Sequence, residues 1–168
     1  MATIKGLKKL NKAILKELSA FGIENTFYND CYEYHFDNNS VGWTLFETEI
    51  DKYYNDFIKE RFNLELTEND IFLISLLHEV GHYKTDDGVN DNVYDFCLEE
   101  KDRLSNELND IEDEEEIRKL HYQYFNLPDE WGATFWAVKY MKKHPKKCKR
   151  IAERLQNALN DFYDKNID

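Results

Sequence analysis

The sequence predicts a mostly helical α+β domain with one small antiparallel sheet. The 168 residues include only two prolines and six glycines, a composition that favours long helices. Apolar residues recur at helical spacing through most of the chain, and only residues 31–46 combine aromatic and β-branched runs with a turn. A chain of this length without a recognisable linker predicts a single domain over residues 1–168.

The N-terminal helix is predicted over residues 4–21. Its apolar positions fall on one face with lysines between them, and they are Ile4, Leu7, Leu10, Ile14, Leu18 and Phe21. This spacing is typical of an amphipathic helix, and Gly22 is expected to end it.

The predicted hairpin spans residues 31–46. Two runs rich in aromatic, β-branched and Thr residues, 31–36 and 41–46, flank the turn-forming sequence Asp37-Asn38-Asn39-Ser40. The hairpin around Trp43 either presents an edge strand to an extended peptide or simply packs within the sheet. A helix over residues 48–61 is expected to follow.

The most apolar helix is predicted over residues 71–84. Thr67 and Asp70 form a capping box before it, because an acid three residues after a Thr can bond back to the cap. A helix that is apolar on most sides is expected to be central in its domain. A loop over residues 86–92 and an acidic helical stretch over 93–124 are expected to follow. A helix that starts within residues 126–129 and runs to about Lys143, and a C-terminal helix over 145–163, complete the prediction.

The net charge of −12 comes entirely from the acidic segment, residues 86–130. This segment holds sixteen Asp/Glu against four Lys/Arg, whereas the rest of the chain balances. Such a surface repels phosphates, so nucleic acid is an unlikely partner. A solvated helix face is the simplest interpretation, and a docking surface for a basic protein partner is the alternative.

Three cysteines, odd in number and widely spaced, indicate reduced thiols rather than a disulfide framework: Cys31, Cys97 and Cys148. No apolar run is long enough to span a bilayer, and the N-terminus lacks the apolar core of a signal peptide. A cytoplasmic protein without membrane association is therefore expected.

The sequence His78-Glu79-Val80-Gly81-His82 predicts a metal centre. Residues four apart share a helical face, so His78 and His82 can direct their imidazoles at one zinc ion. Glu79 can hold a water on that ion and act as its general base, because zinc lowers the pKa of bound water to about 7. The alternative is a pair of hydrogen-bonded core histidines.

A third zinc ligand is expected at Glu130. Glu130, Ala133 and Ala137 share a helical face, and the two alanines allow close approach to the His-Glu-x-x-His helix. Asp86, Asp87 and His121 remain alternative ligands. The oxygen-rich sequence from Asp86 to Asp91 is read as a polar turn, with calcium binding as the alternative. Tyr83 and Tyr140 are possible oxyanion donors.

The sequence from Leu77 to His82, followed by Glu130-x-x-Ala133-x-x-Trp136-Ala137, resembles zincins of the gluzincin type, in particular the ImmA/IrrE family. The resemblance covers roughly residues 30–140. It implies a zincin-like fold and a zinc-dependent metallopeptidase acting on an intracellular peptide or protein substrate. The alternative function is a non-catalytic zincin-fold module that sequesters a regulatory protein through its acidic face.

Overall fold

The computed structural model describes residues 4–45, 49–85 and 90–166, which form seven α-helices and a three-stranded sheet. In chain order the helices are α1 Ile4–Leu18, α2 Glu49–Phe62, α3 Glu68–Thr85, α4 Asp91–Leu108, α5 Glu114–Phe125, α6 Pro128–Lys143 and α7 Pro145–Asp164. The mostly helical α+β class is confirmed. The last predicted hairpin residue, Phe46, and the candidate ligands Asp86 and Asp87 lie outside the described residues.

The sheet contains the predicted hairpin and one strand that was not predicted. Strands β2 (Glu33–His35) and β3 (Ser40–Trp43) pair antiparallel around the predicted turn. Strand β1 (Asn25–Tyr28) pairs with β3 in parallel, giving the order β1-β3-β2. The sheet is therefore mixed, and the expectation of a purely antiparallel sheet was wrong.

A side chain on α1 explains the position of β1. Asn11 donates a hydrogen bond from Nδ2 to the Thr26 carbonyl over 2.7 Å, and its Oδ1 accepts one from Trp43 Nε1 over 2.7 Å. This single asparagine ties β1 and β3 to α1. Because it is a tertiary interaction, nothing in the local composition of the four-residue β1 indicated it.

The predicted N-terminal helix is confirmed with one refinement at its end. The α-helix stops at Leu18, and a 3-10 turn continues it over Ser19–Phe21. Gly22 then adopts a left-handed conformation with φ of +95°, which favours glycine.

Helix α3 lies at the centre of the molecule. The capping box forms as expected, with the Asp70 carboxylate accepting from the Thr67 amide over 3.0 Å and its hydroxyl over 2.8 Å. All nine residues from Leu73 to Gly81 are buried. The helix packs most extensively against α6 and next most extensively against α7.

The acidic helical stretch consists of two helices rather than one. Helix α4 ends at Leu108, and Asp113 caps α5 by accepting a hydrogen bond from the Glu116 amide over 2.9 Å. The break lets the two helices fold against each other around a small buried cluster of Cys97, Leu104, Leu120 and Leu127. Most acidic side chains of α4 and α5 face solvent, as the simpler interpretation expected.

The three cysteines are free, as predicted, with Cys31 exposed and Cys97 and Cys148 buried. Among the described helices, none combines the length and the apolar character that crossing a membrane requires.

Candidate metal centre

A close approach of α3 and α6 builds the site. Gly81 packs directly on the α6 backbone, and a Cβ at this position would lie 2.4 Å from the Ala133 carbonyl oxygen and 2.8 Å from its Cα. This contact requires glycine on α3 and a small residue on α6. It brings Glu130, one turn before Ala133, beside the two histidines of α3, as the shared face of Glu130, Ala133 and Ala137 predicted.

His78 directs one nitrogen toward Glu130 and anchors the other. Its Nε2 lies 2.8 Å from Glu130 Oε2, whereas its Nδ1 is hydrogen-bonded to the Tyr54 hydroxyl over 2.9 Å and to Thr134 Oγ1 over 3.1 Å. When Nε2 carries no proton, Nδ1 donates to these two oxygens. Such a partner on the second nitrogen fixes the ring orientation and the tautomer of a metal-binding histidine.

The other Glu130 oxygen faces His82 and a lysine from the acidic segment. Glu130 Oε1 lies 3.5 Å from His82 Nε2 and 2.6 Å from Lys101 Nζ. Lys101 also pairs with Asp129 Oδ2 over 2.5 Å. The Glu130 carboxylate thus uses one oxygen for His78 and shares the other between His82 and the Lys101 ammonium.

Two overlapping sets of side chains could hold a metal ion. Ligand atoms of His78, Glu79 and His82 lie within 4.8 Å of one another, and so do those of His82, Asp129 and Glu130. His82 belongs to both sets, and the 2.8 Å contact between His78 and Glu130 links them. The nitrogen and carboxylate donors that the sequence predicted as ligands therefore meet at one place.

Burial sets the proton affinities of Glu79 and His82. The side chain of Glu79 is buried away from water. This desolvation disfavours the charged form and raises the pKa of Glu79 to about 7. Burial likewise lowers the pKa of His82 to about 4, so this imidazole is neutral near pH 7. A neutral histidine can donate its lone pair to a metal, and a carboxylate that titrates near neutral pH suits proton transfer.

Glu130 is held as a carboxylate by its partners. Burial opposes its ionisation, but its interactions with His82 and His78 and the charge of Lys101 together outweigh this and hold its pKa well below the usual range. The pKa of Lys101 is raised above its ordinary value, because Glu130 and Asp129 outweigh the desolvation of the ammonium. The two side chains form a charged pair.

An open cavity of about 360 Å³ leads to the cluster. Glu79, His82 and Glu130 lie on its wall, together with Lys101. Strand β2 forms another part of the wall through Glu33 and Tyr34, and Tyr32, which directly precedes the strand, contributes as well. This strand is an edge of the described sheet, so the predicted hairpin presents an edge beside the candidate metal centre.

Three other residues singled out in the sequence lie away from the cluster. His121 is buried and stacks on Tyr53 with 4.9 Å between ring centroids, so it is a packed histidine. Tyr140 stacks on Trp136, and Tyr83 lies beside Tyr34 and Gly22. Neither tyrosine is among the residues that line the cavity, so the structure gives no support to their role as oxyanion donors.

Several residues of the site were not predicted from the sequence: Tyr54, Lys101, Tyr124, Asp129 and Thr134. Thr134 is one turn after Glu130 and Asp129 directly precedes it, so their positions on α6 were a usable signal. Lys101 gave no such signal in the sequence, because a single lysine in an acidic helix is normally expected to be exposed to solvent. Its role depends on how α4 folds back over α6.

Comparison of the chain with models of protein families, with curated proteins and with solved structures found no match. Fold and site together define a mostly helical α+β protein with a His-Glu-x-x-His cluster at the wall of an open cavity.

Proposed function

We propose that this protein is a zinc-dependent metallopeptidase of the gluzincin type, resembling the ImmA/IrrE family. One observation supports this most strongly. His78, His82 and Glu130 converge from two helices with Glu79 buried beside them, and His82, Glu79 and Glu130 lie on the wall of an open cavity. A pair of core histidines would need neither a third inward-facing carboxylate nor access from solvent.

The residues fit zinc. Two imidazoles and one carboxylate are a common donor set of catalytic zinc sites. His82 is neutral near pH 7, and His78 is oriented by hydrogen bonds to its second nitrogen, as metal-binding histidines usually are. His78, His82 and Glu130 would hold the ion. When bound, zinc would supply Lewis acidity toward the scissile carbonyl and acidify a water molecule.

Glu79 carries out the proton transfers of the proposed reaction. Its carboxylate is the proton acceptor for the attacking water and afterwards returns the proton to the leaving amine. Burial raises its pKa to about 7 in the absence of a metal ion, and the charge of a bound metal would lower that value. Glu79 is therefore ionised when a metal is bound, as a base must be.

Strand β2 supports a peptide as the substrate class. An extended chain can pair with an edge strand through backbone hydrogen bonds, which are independent of side-chain identity. Because β2 borders the cavity next to Glu79, a peptide paired with it would pass its backbone across the candidate metal centre. We propose an intracellular peptide or protein as the substrate and the cytoplasm as the compartment.

A second candidate is a zincin-fold binding module without catalysis. Lys101 favours it, because its ammonium lies 2.6 Å from the third ligand and a cation so close opposes a second cation. The exposed acidic side chains of α4 and α5 would then bind a basic regulatory protein.

The decisive experiment compares two glutamate variants. Glu79→Gln should retain zinc but lose hydrolysis of an unfolded protein such as casein by at least about a hundredfold, because the amide cannot accept the water's proton. Glu130→Ala should lose zinc, because it removes a ligand. Zinc content by atomic emission and cleavage by mass spectrometry are the measurements.

Each candidate function has its own outcome in this comparison. If wild-type protein binds zinc but cleaves nothing, the binding module replaces the enzyme. If it binds no zinc even when zinc is supplied, the metallopeptidase is wrong, and binding of a basic protein to α4 and α5 then tests the second candidate.

A further inference from the structure

A second cavity, of about 460 Å³, lies beside the N-terminal half of α3. Its wall includes four large apolar side chains, those of Leu45, Ile71, Phe72 and Leu159. Helix α7 forms the opposite side through Gln156, Leu159 and Tyr163. None of these residues belongs to the metal-binding cluster, so the proposed chemistry leaves this cavity without a role.

The two cavities follow one face of α3. Six of the eight α3 residues on their walls are spaced three or four apart, and these are Glu68, Phe72, Ser75, Glu79, His82 and Thr85; the other two are Asn69 and Ile71. Such spacing places side chains on a single helical face. Tyr32 lines both cavities, with its hydroxyl 3.3 Å from the Thr44 carbonyl oxygen. The cavities are therefore neighbours along α3 with Tyr32 on the wall of both, and we treat them together as one groove.

The groove has the dimensions of an extended peptide. Seventeen helical steps from Glu68 to Thr85 correspond to about 26 Å at 1.5 Å per residue. An extended chain covers about 3.3 Å per residue, so about eight residues fill the groove. The seven steps from Phe72 to Glu79 correspond to about 10 Å, or about three extended residues.

We infer that the second cavity is a substrate subsite for a large apolar side chain, located about three residues from the peptide bond that is cleaved. This inference rests on the proposed peptidase function, and it specifies which class of peptide the enzyme would cleave. The occupant is an extended segment of about eight residues. The second cavity shares Tyr32 and one face of α3 with the cavity that leads to Glu79, and its apolar wall matches a Leu, Met or Phe side chain.

Charge further restricts the occupant. Glu33 lines the groove beside the metal-binding cluster, and Glu68 lines its far end. Among the described residues that line the second cavity, Glu68 is the only one with a charged side chain. An acidic residue next to the apolar anchor is therefore disfavoured, and a neutral or basic one is accepted.

The first test is the pattern of cleavage. Zinc-loaded protein is given a randomised octapeptide library, and its products are sequenced by mass spectrometry. Large apolar residues should be enriched at one position about three residues from the cut. Hydrolysis with no such enrichment would overturn the subsite while leaving the peptidase function intact.

The second test blocks the far end of the groove. Gln156→Trp places a bulky ring in the second cavity, and Gln123→Trp makes the same change at an exposed α5 position that lines neither cavity. The preference for long substrates is the kcat/KM for octapeptides divided by the kcat/KM for tripeptides. Gln156→Trp should lower this preference about tenfold, because the octapeptide loses the burial of one apolar side chain. Gln123→Trp should leave it unchanged, and equal ratios in the two variants would overturn the inference.

A binding measurement separates failure of the subsite from failure of catalysis. In the Glu79→Gln background, the fluorescence anisotropy of a labelled octapeptide pool reports binding without turnover. Wild-type protein could hydrolyse no peptide while Gln156→Trp still weakens peptide binding about tenfold. That result would support the peptide-binding groove and contradict the peptidase proposal. If Gln156→Trp does not fold, Asn69→Trp at the opposite, exposed rim replaces it.

Discussion

Lys101 is the residue whose environment departs most from its sequence context. It is one of four basic residues in the acidic segment, yet its side chain is 22% exposed and its ammonium contacts Glu130 and Asp129. An acidic helix thus supplies a cation to the candidate metal centre. In the protein without metal, this lysine balances two carboxylates that would otherwise lie close together without a counter-charge.

Lys101→Met should affect the metal-free and zinc-bound forms in opposite ways. Without metal, Glu130 and Asp129 lose their counter-charge, and we expect the free energy of unfolding to fall by about 3 kcal/mol. With zinc bound, the metal balances Glu130 and the repulsion between ammonium and metal is gone, so zinc affinity should rise. Urea unfolding with chelator and zinc titration against a competing dye measure the two effects.

Lys119→Met is the matched control, because Lys119 is exposed on α5 and lies outside the site. It should change neither quantity by more than about 0.5 kcal/mol. Weaker zinc binding in Lys101→Met would instead mean that the lysine holds Glu130 in position for the metal.

The contact between α3 and α6 is the interaction between helices on which the site depends. Gly81→Ala introduces a Cβ that would lie 2.4 Å from the Ala133 carbonyl oxygen, so the two helices must move apart. We expect a loss of about 1–3 kcal/mol in unfolding free energy and weaker zinc binding, because Glu130 moves away from the histidines.

A glycine on the facing helix provides the control for Gly81→Ala. At Gly132 a Cβ would lie 3.6 Å from Thr85 Oγ1, an ordinary contact, so Gly132→Ala should gain up to about 1 kcal/mol from helix propensity. Thermal and urea unfolding of both variants measure the difference. If both substitutions stabilise the protein, the contact at Gly81 is not close.

At the scale of helices and strands, local signals were sufficient where the determinant was local. The capping box before α3, Gly22 after the first helix and the turn at Asp37–Ser40 were all visible, because each acts through neighbouring residues. Strand β1 was missed, because its position depends on Asn11, fifteen residues before Thr26.

The residues of the candidate metal centre also divide into those that local sequence could predict and those that depend on tertiary packing. His78, Glu79 and His82 follow from one helical turn, and Glu130 follows from the small residues that share its face. Lys101 and Tyr54 reach the cluster from other helices, α4 and α2. No spacing within a single helix could predict them, because they depend on how helices distant in sequence pack.

At the scale of the molecule, charge and core are separated. The helical core around α3 carries the candidate metal centre, whereas the excess negative charge lies in the acidic segment, where most acidic side chains of α4 and α5 are in solvent. Individual surface pairs such as Arg103 with Glu100 contribute little stability. Stability therefore depends mainly on the core and, if zinc binds, on the metal.

Metal removal should lower the melting temperature of the whole protein. A ligand that binds only the folded state stabilises it by mass action, by about 4 kcal/mol at a thousand times its Kd. For a chain of this length, 1 kcal/mol corresponds to about 2–4 °C, so a chelator should lower the melting temperature by about 8–16 °C and excess zinc should restore it. His78→Ala should respond to neither reagent, because it removes a ligand. Equal melting temperatures for wild-type protein with chelator and with zinc would mean that the histidines are structural, and calorimetry at fixed pH decides between the two outcomes.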